Sequence, residues 1–286
     1  MSGEEPRTDS HQLPSLAGPL SKLRRAHVHL RELYGELNAY TAEQRHRVIS
    51  DHTEVGDDRI YKMHLEVLEP LGNPGWGLLV GDFVHNLRAS LDHLVWQLVL
   101  LNGERPTRSN QFPICSSRER YWESSGGQRS IRERTLAGVA TCHREKIDSV
   151  QPFCAPFPDS LDREFHVLAV LARLSNIDKH QLIMSALVSV GEIDPGMFDI
   201  STADGSGVAI IELQQHALFA DRTEIGTVHM RGVTPGVGTK IELNLPLEIG
   251  FGHPKGVRSD GLGMMYEFVR DLVKGFAGDF EKASQS

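Results

Sequence analysis

The stretch Gly81–Gln97, GDFVHNLRASLDHLVWQ, decides how this chain is read. Val80, Phe83, Val84, Leu87, Leu91, Leu94, Val95 and Leu98 recur at steps of three and four residues, the spacing of one apolar helical face. At about 100° per residue, Asp82, His85, Ala89, Asp92, His93 and Trp96 gather on the opposite face. Solvated helix faces are usually filled by Lys and Glu, whereas Asp, His and Asn are short groups suited to burial. Burying them without partners costs roughly 2–7 kcal/mol each, so this reading expects a buried helix whose polar groups meet partners or a ligand. Trp96 is expected to belong to the core.

Working outward, Asp162–His180 (DREFHVLAVLARLSNIDKH) repeats the theme as a second helix whose periodicity weakens near Ser175. Phe165, Leu168, Leu171, Leu174 and Ile177 supply its apolar spacing, and Asp162, His166, Arg173 and His180 lie near one face. If the two helices pack side by side, Asp82, His85, Asn86, Arg88, His166, Arg173, Asn176, Asp178, Lys179 and His180 form one polar network. A simpler role for Lys179 and His180 is to cap the end of that helix, where positive charge is favoured.

The rest of the chain sets bounds. Its 286 residues, 40% of them hydrophobic, suit a globular protein with an ample core. The first twenty residues are polar, with no secretory pattern, so a frayed N-terminus and a cytoplasmic location are expected. Leu78–Leu101 is long enough to span a bilayer, but its charged and histidine residues oppose insertion, and no membrane association is expected. Cys115, Cys142 and Cys154 form no CxxC pair and read as structural thiols.

A net charge of −8 opposes nonspecific attraction to nucleic acid, but residues 104–135 carry seven arginines against four glutamates. There, Arg118, Arg120 and Trp122 in RERYW offer the guanidinium and aromatic chemistry of a phosphate contact. The alternative is a solvated insertion whose charges do nothing specific.

Residues 21–49 read as a long helix capped by Ser21, and 59–69 as an alternating strand. Between residues 182 and 252 the texture turns to strands, at Ile183–Ile193, Val208–Leu213, Ile225–Met230 and the alternating Ile241–Ile249. His64, His216 and His229 are most simply polar residues on strand faces. Residues 257–282 return to helix. The order predicts an α+β fold in which a helical bundle (21–181) packs beside an antiparallel sheet of about four to five strands, within one compact domain.

No P-loop, dinucleotide-binding, HExxH or nucleophile-elbow motif occurs. The phrases GDFVHNLRASLDHLVWQLV, NQFPI and LSNIDKH resemble a family of uncharacterised bacterial proteins, which implies no function. Arg88-Ala-Ser-Leu-Asp-His93 is similar to the Arg-x4-6-His motif of the HEPN superfamily, helical-bundle ribonucleases. That resemblance covers one helix and implies a cleft, often at a homodimer interface, in which metal-independent attack of a ribose 2′-hydroxyl on phosphate cleaves RNA. His93 would then handle the proton and Arg88 the phosphate charge, with Asp92 beside them. This sequence places Ala89 where the family usually has a polar residue.

Two other readings remain. A divalent metal would be held by Asp82 and His85 at i, i+3, with Asp92 or His93 two turns on and His166 or His180 from the second helix. A noncatalytic structural or ligand-binding protein would use the same groups to satisfy one another and fix helix register.

Overall fold

The computed structural model describes residues 13–42, 46–56, 58–68, 74–124, 126–154, 160–189, 194–214, 221–243, 247–252 and 256–284. The expectations for residues 1–12 and for His216 lie outside them. The fold is α+β. Contacts divide the chain into two compact units built from interleaved segments, rather than into linear blocks. One unit comprises Met1–His29, Asp82–Lys179 and Gly263–Ser286; the other comprises Leu30–Gly81 and His180–Leu262.

Helix α1 runs Ala17–Ala42. It starts before the expected Ser21 because Pro19 is harmless in a first turn, where backbone N–H groups have no helical partner. Ser15 Oγ accepts from Ala17 N at 3.1 Å. The helix also ends early, because β1 (His46–Val55) and β2 (Asp58–Val67) form an antiparallel hairpin. Pairing of Val48 with Leu65 and of His52 with Tyr61 draws into a strand residues whose local pattern looks helical.

Helix α2 (Pro74–Leu101) opens on a proline and closes on a Schellman motif. Glu104 N donates to Val99 O and Gly103 N to Leu100 O, with Gly103 in the left-handed region at φ 74°. Its expected apolar face is confirmed, since all eight residues from Val80 to Leu98 named above are fully buried. Each contributes about 1.5–3 kcal/mol of transfer free energy.

The unit containing most of α2 adds short helices α3 (Arg118–Trp122) and α4 (Ile131–Thr135), then α5 (Thr141–Ser149), α6 (Ser160–Phe165) and α7 (Val167–Asp178). The expected single helix 162–180 is therefore two, broken at His166 rather than near Ser175. His166 takes up N-cap geometry, its Nδ1 accepting from Leu168 N at 3.2 Å.

The other unit contains β3 (Ser185–Ser189), β4 (Phe198–Thr202), β5 (Val208–Leu213), β6 (Glu224–Arg231), β7 (Thr239–Leu243), β8 (Leu247–Phe251) and β9 (Val257–Arg258). A four-stranded antiparallel sheet has the order β1-β2-β6-β5, with Tyr61, Met63, Leu65 and Val228 buried on it. At Gly226 a Cβ would lie 2.3 Å from Glu212 O, so only glycine lets β5 approach this closely. Two smaller sheets are β3-β8-β9 and β4-β7. The expected strand Ile241–Ile249 is thus two strands with different partners, separated in sequence by Pro246, which has no N–H to donate.

The C-terminal helix likewise divides into α8 (Ser259–Lys274) and α9 (Ala277–Ser284) about Gly275. No helix among the described residues is long and apolar enough to cross a membrane.

Candidate functional site

Helix α2 is fastened to its surroundings by polar side chains that bond to backbone groups of other segments. Ser90 Oγ donates to Pro19 O at 2.9 Å and Gln97 Oε1 accepts from Ser15 N at 2.8 Å, which seats the start of α1 on α2. Arg88 and Asp92, one helical turn apart, form an ion pair at 3.0 Å. Together they take both backbone groups of Phe112: Asp92 Oδ1 accepts its N–H at 2.8 Å, and Arg88 Nη2 donates to its carbonyl at 2.6 Å. Phe112 itself is fully buried.

The rest of the NQFPI phrase is held in the same way. Asn110 Nδ2 donates to the carbonyls of Thr135 and Ala137, and its Oδ1 accepts from Thr107 N. Gln151 Nε2 donates to Pro113 O while its Oε1 accepts from Cys115 N. Buried backbone in an extended connector needs such partners, and side chains from α2 and Gln151, just beyond α5, supply them. Sequence reasoning singled out NQFPI without finding this role. The signal was Asn and Gln among apolar residues in a segment with no regular structure.

Two cavities flank this clamp. The smaller, of about 310 Å³, lies between α2 and α7 and is lined by His85, Arg88, Gln111, Asn176 and Lys179, with Asp92 at its edge. The larger, of about 580 Å³, is lined by Asp92, His93, Trp96, Gln97, Asn110 and the 15–18 segment. Asp92 belongs to both, so the cavities adjoin along one lane of α2.

The polar stripe of α2 is consequently not buried. Asp82, His85 and His93 are exposed, and Trp96 is 40% exposed, contrary to its expected place in the core. The physical reason is that, among the described residues, the neighbouring segments border this lane without burying it. Arg88 and His93, about 140° apart around the helix, line different cavities. Asn86 is buried, with Nδ2 donating to Asp82 O, a local bond within the helix.

From the second helix the structure brings Asn176 and Lys179 into the smaller cavity but not the others. His166 is spent as the α7 cap, and its burial lowers its pKa. Arg173 donates Nη1 to Glu164 O, its Nε and Nη2 are buried without a partner among the described residues, and burial lowers its pKa. Asp178 is exposed at the last position of α7, and His180, also exposed, belongs to the other unit. The proposed metal set of Asp82, His85, His93 and His180 is not assembled: among the described residues no three His, Cys, Asp or Glu side chains stand together to hold an ion.

The Arg-rich segment divides by role. Arg118 and Arg120 are exposed. Trp122 lies under Arg132, whose guanidinium is 4.6 Å from the ring centroid. Arg132 also forms a bidentate pair with Asp148, which accepts in addition from Tyr121 Oη at 2.6 Å. Burial, reinforced by that carboxylate, pushes the Tyr121 phenol far above its ordinary pKa. Tyr121 packs with Cys115, Phe153 and Ile131. No protein-family model, curated protein or solved structure matches the chain.

Proposed function

We propose that the lane along α2 binds RNA and that His93 promotes metal-independent cleavage there, in the manner of the ribonucleases its motif resembles. The observation that supports this is the adjoining pair of cavities, one bordered by His85, Arg88 and Lys179, the other by His93 and Trp96. Arg88 and Lys179 on one side suit a phosphate, and an imidazole and indole on the other suit a ribose and base. In the reaction His93 takes the 2′-hydroxyl proton, the freed oxygen attacks the adjacent phosphorus, and the bond to the 5′-oxygen breaks as that oxygen takes a proton from water, after which His93 releases its own proton to solvent. The products are a 2′,3′-cyclic phosphate and a 5′-hydroxyl. A homodimer belongs to this proposal and is checked by sedimentation of the same sample.

The test is cleavage of single-stranded RNA with and without EDTA, beside His93→Ala protein whose thermal transition matches the parent. Cleavage that resists EDTA and vanishes in the variant is the expected result. Cleavage unaffected by the variant, or no cleavage and no binding, overturns it.

A second reading is favoured by the Arg88–Asp92 clamp on Phe112, which gives both charged groups a structural task. In it the lane is a noncatalytic surface, and only the stability of the fold responds to these residues.

A further inference from the structure

We infer that the larger cavity holds one unpaired nucleobase, stacked on Trp96 and read along its hydrogen-bonding edge by Gln97 and Asp92; this rests on the RNA-binding reading and names its substrate class as single-stranded. Three features of the cavity carry the inference. Its volume of about 580 Å³ admits a base with its ribose. Trp96 presents an indole to it that is 40% exposed, although the neighbouring Leu94, Val95 and Leu98 are fully buried. An exposed indole in a concave site is a stacking platform, since every base has a π-face.

The third feature is a donor and an acceptor on the cavity lining, each left over after a structural hydrogen bond. The Ser15 N–H can donate only to oxygen, which places Gln97 Oε1 on that bond at 2.8 Å and leaves Nε2 as the free end of the amide. Among the described residues Nε2 has no protein partner, although Gln97 is only 8% exposed and lines the cavity. On Asp92, Oδ1 takes both the Phe112 amide and Arg88, while Oδ2 has no hydrogen bond among the described residues. A donor and an acceptor on the lining of one cavity suit the acceptor and donor groups on the pairing edge of a base. In a duplex that edge is occupied, so the cavity selects unpaired bases.

Gln97→Glu separates reading from folding. A carboxylate still accepts from Ser15 N but replaces the Nε2 donor by an acceptor. Trp96→Ala removes the platform and Trp96→Phe keeps a smaller one.

The experiment measures binding of a labelled RNA, alone and annealed to its complement, to parent and variants of matched thermal transition, in EDTA at low temperature. Saturation-transfer NMR with the four free ribonucleosides accompanies it. The expected result is single-strand binding at least about tenfold tighter than duplex binding, lost about tenfold in Trp96→Ala and largely restored in Trp96→Phe. Gln97→Glu is expected to change the order of preference among the nucleosides. Equal binding of single strand and duplex, or a Trp96→Ala protein that binds like the parent, overturns the inference and leaves the RNA reading standing. Nucleoside contacts that vanish in Trp96→Ala, with no RNA binding, overturn the RNA reading and leave the base cavity. Neither RNA nor nucleoside binding overturns both.

Discussion

The Arg132–Asp148 cluster and the Arg88–Asp92 pair are chemically the same device, an arginine and an aspartate beside an aromatic segment, yet they differ in what is left over. Around Asp148, the Arg132 guanidinium and the Tyr121 hydroxyl satisfy the carboxylate, and both charged side chains are nearly buried, at 16% and 14% exposure, although Trp122 beneath Arg132 stays exposed. Around Asp92 the pair is also committed, to Phe112, but His85, His93, Trp96 and Lys179 beside it face open cavities. A closed network stabilises a fold and an open one offers chemistry. Sequence composition alone does not tell them apart, because the distinction lies in whether every donor has met an acceptor.

The largest effect that would sharpen this contrast is on stability at the closed cluster. Asp148→Ala strands the Arg132 guanidinium and the Tyr121 hydroxyl together and is expected to lower unfolding free energy by about 3 kcal/mol in urea titration. A loss under about 1 kcal/mol would break the comparison.

At the open pair, Asp92→Ala removes the acceptor of the buried Phe112 N–H and is expected to cost about 1–2 kcal/mol. Because Asp92 is 32% exposed, its ion pair with Arg88 is partly screened by water and adds little to that figure. The check is the same titration. A cost equal to that of Asp148→Ala would place both pairs among the closed networks.

The smallest effect concerns α7, which borders the lane. His166 caps this helix as neutral imidazole, and burial holds its pKa below the ordinary 6.5. Protonation therefore favours the unfolded chain. The cap's contribution, about 1 kcal/mol, is complete above pH 6.5 and is lost as pH falls through the lower folded-state value. His166→Asn keeps a capping oxygen that does not titrate, so unfolding free energy should fall less steeply below pH 6.5 than in the parent. Identical slopes would exclude the cap as the titrating device.

The lane itself was only half legible. The two-faced character of α2 is written in its spacing, but short polar residues pack well, so its polar face reads as a buried one. Exposure depends on which segments border the helix, and that is settled by Ser90 and Gln97 seating the α1 start, a contact 71 to 82 residues distant in sequence. The role of His166 was hidden for a related reason: it sits at a helical spacing, and only its backbone shows that the helix is interrupted there.

By itself the sequence determined the α+β class, the apolar stripe of α2, the strand β2, and the strands β5 and β6, because each has a periodicity that a local segment carries whole. Tertiary structure alone decided that residues 46–55 form a strand, that residues 241–249 divide between two sheets, and that Arg88 and His93 face different cavities. These outcomes hinge on pairing and packing between segments far apart in the chain, where the gain from a distant partner outweighs the local preference.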